Sequence, residues 1–184
     1  MFNLKTKATK DLSEPWKIIH HHPYGTGLSI EILLATARDR VCDEAKPFPP
    51  LLIDNWATDL LTKPEFNLCL SEPNKVTLGL VSVRDLGFHS ATSLKQVNKA
   101  LLDNGAEKCF PRIPLELGIQ YKDQPKGKWV WFYMDPIIAT GGSPFIFKLA
   151  RRGGGNQWLI GECGLMDAKM HPDSHIVYRI SDIS

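Results

Sequence analysis

Leu115-Glu116-Leu117-Gly118-Ile119-Gln120-Tyr121 and, after a turn, Lys128-Trp129-Val130-Trp131-Phe132-Tyr133-Met134 are the two stretches whose reading decides the fold. In the first, apolar side chains at 115, 117, 119 and 121 alternate with Glu116, Gly118 and Gln120, the period of two expected of a strand. In the second, both alternating faces are apolar or aromatic, as in a central strand covered on both sides. Lys122-Asp123-Gln124-Pro125-Lys126-Gly127 lies between them and supplies turn chemistry. Asp123 accepts backbone N–H groups, Pro125 presets φ, and Gly127 tolerates the left-handed region. The segment predicts a hairpin.

Downstream the alternation continues. Phe145, Phe147 and Leu149 share one face, residues 157–161 form a short apolar run, and Ile176, Tyr178 and Ile180 alternate again. Thr140-Gly141-Gly142-Ser143, Arg151-Arg152-Gly153-Gly154-Gly155-Asn156 and His171-Pro172-Asp173-Ser174 read as turns. Short strands joined by short turns favour sequential antiparallel pairing. Residues from about 115 to 183 are therefore expected to form an antiparallel β-meander.

Upstream the period is 3.6. Ser29 is a good N-cap for a first helix whose apolar stripe is Ile30, Leu33, Leu34, Ala37 and Val41, ended by Pro47, Pro49 and Pro50. Asp54 caps a second helix with Trp56, Ala57, Leu60 and Leu61, stopped by Pro64. Residues 75–83 read as a buried strand. Thr92 or Ser93 caps a third helix with Leu94, Val97 and Leu101 inward, and Asn104-Gly105 ends it. The expected fold class is α+β: N-terminal helices, over about 25–110, packed through the first and third of them on the C-terminal antiparallel meander. Residues 1–14 read as a mobile tail and 15–184 as a single domain. Its core should include Leu33, Leu34, Ala37, Val76, Leu78, Leu80, Leu94, Leu101, Leu117, Ile119, Val130, Phe132, Phe145, Phe147 and Trp158.

The 184 residues are 43% hydrophobic and 23% charged, with a formal net charge of +2. That composition argues against wholesale disorder and against a strong electrostatic grip on nucleic acid or an anionic membrane. No apolar run approaches the roughly 20 residues that span a bilayer. The polar, lysine-rich start carries no secretory pattern, so a cytoplasmic protein is expected. Cys42, Cys69, Cys109 and Cys163 are scattered and read as free thiols in a reducing compartment.

Several residue groups invite a chemical reading. His20-His21-His22 is the most conspicuous. Consecutive residues of an extended segment point to alternating sides, so only His20 and His22 share a face, short of a full ligand set. No metal or other cofactor is therefore expected. His171, Asp173 and His175 lie within five residues, but Pro172 makes that segment a turn rather than a helical metal pair. Cys163, between Glu162 and Gly164, has no activating partner in its local sequence. Tyr24-Gly25-Thr26-Gly27 lacks the rest of a phosphate-binding fingerprint, and Ser143 does not fit a nucleophile elbow. Lys126, Lys128, Arg151 and Arg152 surround turns beside Trp129 and Trp131, a pattern that single-stranded nucleic-acid binders use. Lysines around a turn are also ordinary solvated residues.

Some segments carry a family resemblance: Gly25-Thr26-Gly27-Leu28, Asp54-Asn55-Trp56-Ala57-Thr58-Asp59-Leu60-Leu61 and Lys63-Pro64-Glu65-Phe66. Val81-Ser82-Val83 with Leu86-Gly87-Phe88, and above all the run from Leu117 through Tyr121-Lys122-Asp123-Gln124-Pro125-Lys126-Gly127-Lys128-Trp129, belong with them. Met134-Asp135-Pro136-Ile137, Gly142-Ser143-Pro144-Phe145-Ile146-Phe147 and Trp158-Leu159 complete the set. Together they resemble an uncharacterised family of small bacterial proteins, common in metagenomic and candidate-phylum genomes. The resemblance implies one unit over most of residues 25–160. It assigns no activity, and the histidine triplet is a departure from it.

The first functional expectation is a non-catalytic binding or protein-interaction domain, its tip formed by Tyr121, Asp123, Gln124 and Lys126 with Arg151 and Arg152. One alternative is a hydrolase-type enzyme that assembles His22, His171 or His175 with Asp173 or Cys163. Another is single-stranded nucleic-acid binding through the basic turns. A protein partner and no membrane are expected, and the oligomeric state is not legible.

Overall fold

The computed structural model describes residues 18–22 (backbone only), 50–67, 76–121, 124, 126–152 and 155–180. The strands are β1 (Ile18–His22), β2 (Leu51–Ile53), β3 (Val76–Ser82), β4 (Thr92–Ser93), β5 (Trp129–Phe132), β6 (Ile137–Ile138), β7 (Pro144–Arg151), β8 (Gln157–Cys163), β9 (Lys169–Met170) and β10 (His175–Ile180). The helices are α1 (Asn55–Leu61), α2 (Pro64–Asn67), α3 (Leu94–Asp103) and α4 (Ile113–Gln120). The helix read from Ser29 to Val41, with Leu33, Leu34 and Ala37, lies outside the described residues.

Eight strands form one sheet in the order β1-β3-β10-β5-β7-β8-β2, with β6 also beside β7; β4 and β9 make a separate two-stranded ribbon. This corrects the α+β meander. The sheet is mixed: β10 runs parallel to β5, and β2 parallel to β8. Strands from the N-terminal half form both flanks. The last strand, β10, is inserted between β3 and β5. The described helices are few, and between residues 55 and 120 they are interrupted by strands of the sheet and the ribbon rather than forming one N-terminal layer. The reason is that alternation specifies a strand and its buried face, while the partner is chosen by packing over long sequence separations.

A second correction concerns residues 115–121. Residues 113–120 are a helix. Its side chains are buried from Ile113 through Gly118. A helix that is apolar all round has no stripe, so periodicity alone could not separate it from a strand. Two local signals favour the helix. Pro114 falls in the first turn, where its missing N–H costs nothing. Arg112 Nε donates to Glu116 Oε1 at 3.3 Å, an i,i+4 pair with both side chains only 2% exposed.

α1 and α4 lie on β7 and β8. Asp54 fixes the approach of α1. Its Oδ1 accepts from Ala57 N at 2.7 Å as the N-cap and from Gly161 N at 3.1 Å across in β8. Gly161 must be small, because a Cβ there would sit 2.6 Å from Trp56 Cβ and 2.9 Å from the Ala57 nitrogen. α3 starts with a capping box between Ser93 and Gln96 and buries Leu94, Val97 and Leu101. Of the described core residues expected from sequence, most are buried, while Leu80, Ile119, Phe145 and Trp158 are half-buried.

Candidate functional site

The turn before β10 gathers three candidate residues. His171 Nδ1 accepts from the Asp173 N–H at 3.2 Å. The Asp173 carboxylate is taken by Arg84, whose Nη2 lies at 2.7 Å and whose Nε lies at 3.2 Å. That bond is the main reason the carboxyl titrates below its ordinary range. Asp173 thus orients a guanidinium. His175 stands in register with Ser82 and Val130, and its Nδ1 is buried without a hydrogen-bond partner. Burial, then the charge of Lys128, pushes its pKa down.

Cys163 is far from this turn. His175 is level with Val130, which is level with Leu149 and then Leu159. Cys163 lies four residues beyond Leu159 and three strands from β10, a backbone separation of about 20 Å at ordinary strand spacings. The fold does not bring the Cys163 thiol to the imidazole of His175. Of His20 and His22 only the backbone in β1 is described, so neither they nor His22 as a catalytic residue can be placed. Among the described residues no three His, Cys, Asp or Glu side chains converge as a metal site.

The expected recognition tip is turned inward at several positions. Gln124 is fully buried, and its Nε2 donates to the carbonyls of Lys128 at 3.0 Å and Leu149 at 3.2 Å. Its Oε1 accepts from Gln157 Nε2 at 2.8 Å, and Arg151 Nη1 donates to its carbonyl at 2.7 Å. Tyr121 is buried as well. These side chains tie α4 to the β7–β8 hairpin. Lys126 and Arg152 are exposed; Asp123 lies outside the described residues.

One surface escaped the sequence reading and a second was read only in part. The first is a groove of about 380 Å³ beside α3. Lys95, Asn98, Lys99 and Leu102, at i, i+3, i+4 and i+7, present one helix stripe to it, next to the buried Leu94–Val97–Leu101 side. Tyr133, Met134, Asp135 and Pro136 line it where the chain passes from β5 to β6, and Met166 lines it as well. That Met166 turn is fixed by α3 itself: the free N–H groups of Leu94 and Lys95 donate to the carbonyls of Ala168 at 2.8 Å and Met166 at 2.9 Å. Leu102 is 66% exposed and Met166 41%, with Leu165 exposed beside it. Lys108 pairs with Asp135 and Lys99 with Asp103 at the rim.

The second surface is on the sheet. Cross-strand register puts Trp129, Ala150 and Trp158 in one row, and Trp131, Lys148 and Ile160 in the next, all on one face. The Lys148 ammonium is buried, bonded to Glu162, and lies 4.2 Å from the Trp129 ring centre and 4.9 Å from that of Trp131. Arg152 lies over Trp158 at 4.9 Å. Hairpin register, had it been known, would have revealed this cluster, since Lys148 and Glu162 are diagonal neighbours.

No helix among the described residues is long and apolar enough to cross a membrane. Comparison of the chain with protein-family models, with curated proteins and with solved structures gives no match, so neither its fold nor its sites gain a relative to be read against.

Proposed function

We propose that this protein is a non-catalytic binding domain that receives a segment of a partner protein in the groove beside α3. The observation that carries the reading is the groove's composition. Leu102 and Met166 expose apolar surface into it, where a helix surface and a turn would ordinarily be polar. Lys95, Lys99 and Lys108 stand around them; Lys99 and Lys108 are paired with Asp103 and Asp135, so the excess positive charge is that of Lys95. An apolar side chain flanked by acidic residues is the complement of that surface. No histidine or cysteine lines it. The free thiols of Cys109 and Cys163 suit a reducing compartment, and with the family resemblance they support a place in the bacterial cytoplasm.

Selection of displayed random peptides on the purified protein tests the reading. Enriched peptides should share an aliphatic or aromatic anchor next to Asp or Glu. Leu102→Glu and Met166→Glu should each weaken the selected peptides at least about tenfold, the usual scale for a central anchor. Peptides without an anchor, or equal binding to both variants, would sink the proposal.

A further inference from the structure

We infer that the face of β5, β7 and β8 bearing Trp129 and Trp158 is a site for single-stranded nucleic acid. The inference does not depend on the groove, which is lined by different residues.

Trp129 is 51% exposed although it sits in a strand flanked on both sides. One face of its indole rests on the Lys148 ammonium. That ammonium is held by Glu162 and is 4% exposed, so it cannot reach a phosphate. Its effect is to fix the ring, which leaves the solvent side of the indole as a stacking surface for any base. Across Ala150, about 10 Å away by two strand spacings, Arg152 covers Trp158. A guanidinium plane lying on an indole is itself a platform on which a base stacks. The face therefore offers two stacking places separated by a small residue.

Charge agrees with that occupant. Lys126 and Arg152 are exposed beside this face, and among the described residues neither forms an ion pair with a carboxylate. Among the described residues the one carboxylate on the face, that of Glu162, is taken by Lys148. A duplex keeps its base faces stacked on each other, so only an unpaired strand uses such platforms.

The test is fluorescence anisotropy of a labelled short oligothymidylate titrated with the full chain at increasing NaCl. Binding is expected at low salt, with tryptophan quenching. Two phosphate contacts on a single strand should give a log–log salt slope of about −1.4. Trp129→Ala should weaken binding roughly tenfold while leaving that slope unchanged, and Trp129→Phe should recover part of the loss. Lys126→Gln should instead reduce the slope by about 0.7. Circular dichroism of each variant reports whether it is folded, and Trp129→Phe keeps the test decisive if the alanine variant is not. Four results would overturn the inference: no binding at low salt, unchanged affinity in folded Trp129 variants, equal competition by duplex, or equal quenching by polyglutamate.

Discussion

His175 illustrates how one residue can be set by what surrounds it. Its ring is partly withdrawn from water, Lys128 faces it with a like charge when it is protonated, and Asp85 and Asp173 pull the other way. Desolvation is the largest of these influences, so the folded pKa lies below the ordinary value of 6.5. The sign follows from linkage. The contribution to stability is complete above the unfolded pKa and is lost as the pH falls through the folded one. Urea midpoints should therefore decline as the pH is lowered from about 7.5 to about 5, and His175→Gln should flatten the decline. The five other histidines remain in the variant, so the difference between the two proteins isolates His175. An unchanged pH slope in His175→Gln would refute this account. Gln124 is a second case. It is buried with its amide satisfied on both sides, which makes it a joint between α4 and the sheet rather than a contact offered to a ligand.

Elements differ in how much of their placement is local. Asp54 before α1, Ser93 before α3 and Asn104-Gly105 after it act through neighbours three or four residues away, and all three were legible in the sequence. α4 was not. Its apolar positions satisfy a period of two as well as burial on all sides, and the buried Arg112–Glu116 pair was the discriminating sign. The groove, and the union of Lys148, Trp158 and Glu162 with Trp129 and Trp131, were invisible for a related reason: each is assembled from segments whose mutual register the sequence does not state. The seat of α1 on β8 gives an element-scale prediction. Gly161→Ala should destabilise by about 1–3 kcal/mol, because the new methyl meets backbone and a Cβ that cannot swing away. Gly141→Ala, with nothing within 4 Å, is the control and should lie within about 0.5 kcal/mol of the parent in denaturant melts. Equal midpoints for the two variants would show that α1 does not sit as closely as described.

At the scale of the molecule the decisive fact is strand order. β10 bonds to β3 along six residue pairs and to β5 along three, so it joins the β1–β3 flank to the rest of the sheet. Removing residues 175–184 should therefore abolish cooperative unfolding rather than trim an edge; loss of the thermal transition by circular dichroism checks this. A truncated chain that still melts cooperatively would contradict the topology. The same order has a consequence during synthesis. About ninety residues separate the end of β3 from the start of β10, which at 5–20 residues per second is roughly 5–20 s of translation. Throughout that interval one side of β3 has no strand to receive it, and its buried residues Val76, Leu78 and Val81 have no finished core. Nascent chains on the ribosome are thus exposed to wrong edge-to-edge pairing until the final strand emerges, and a chaperone that shields β3 during this wait would raise the yield of folded protein more than any change in the rate of the last step.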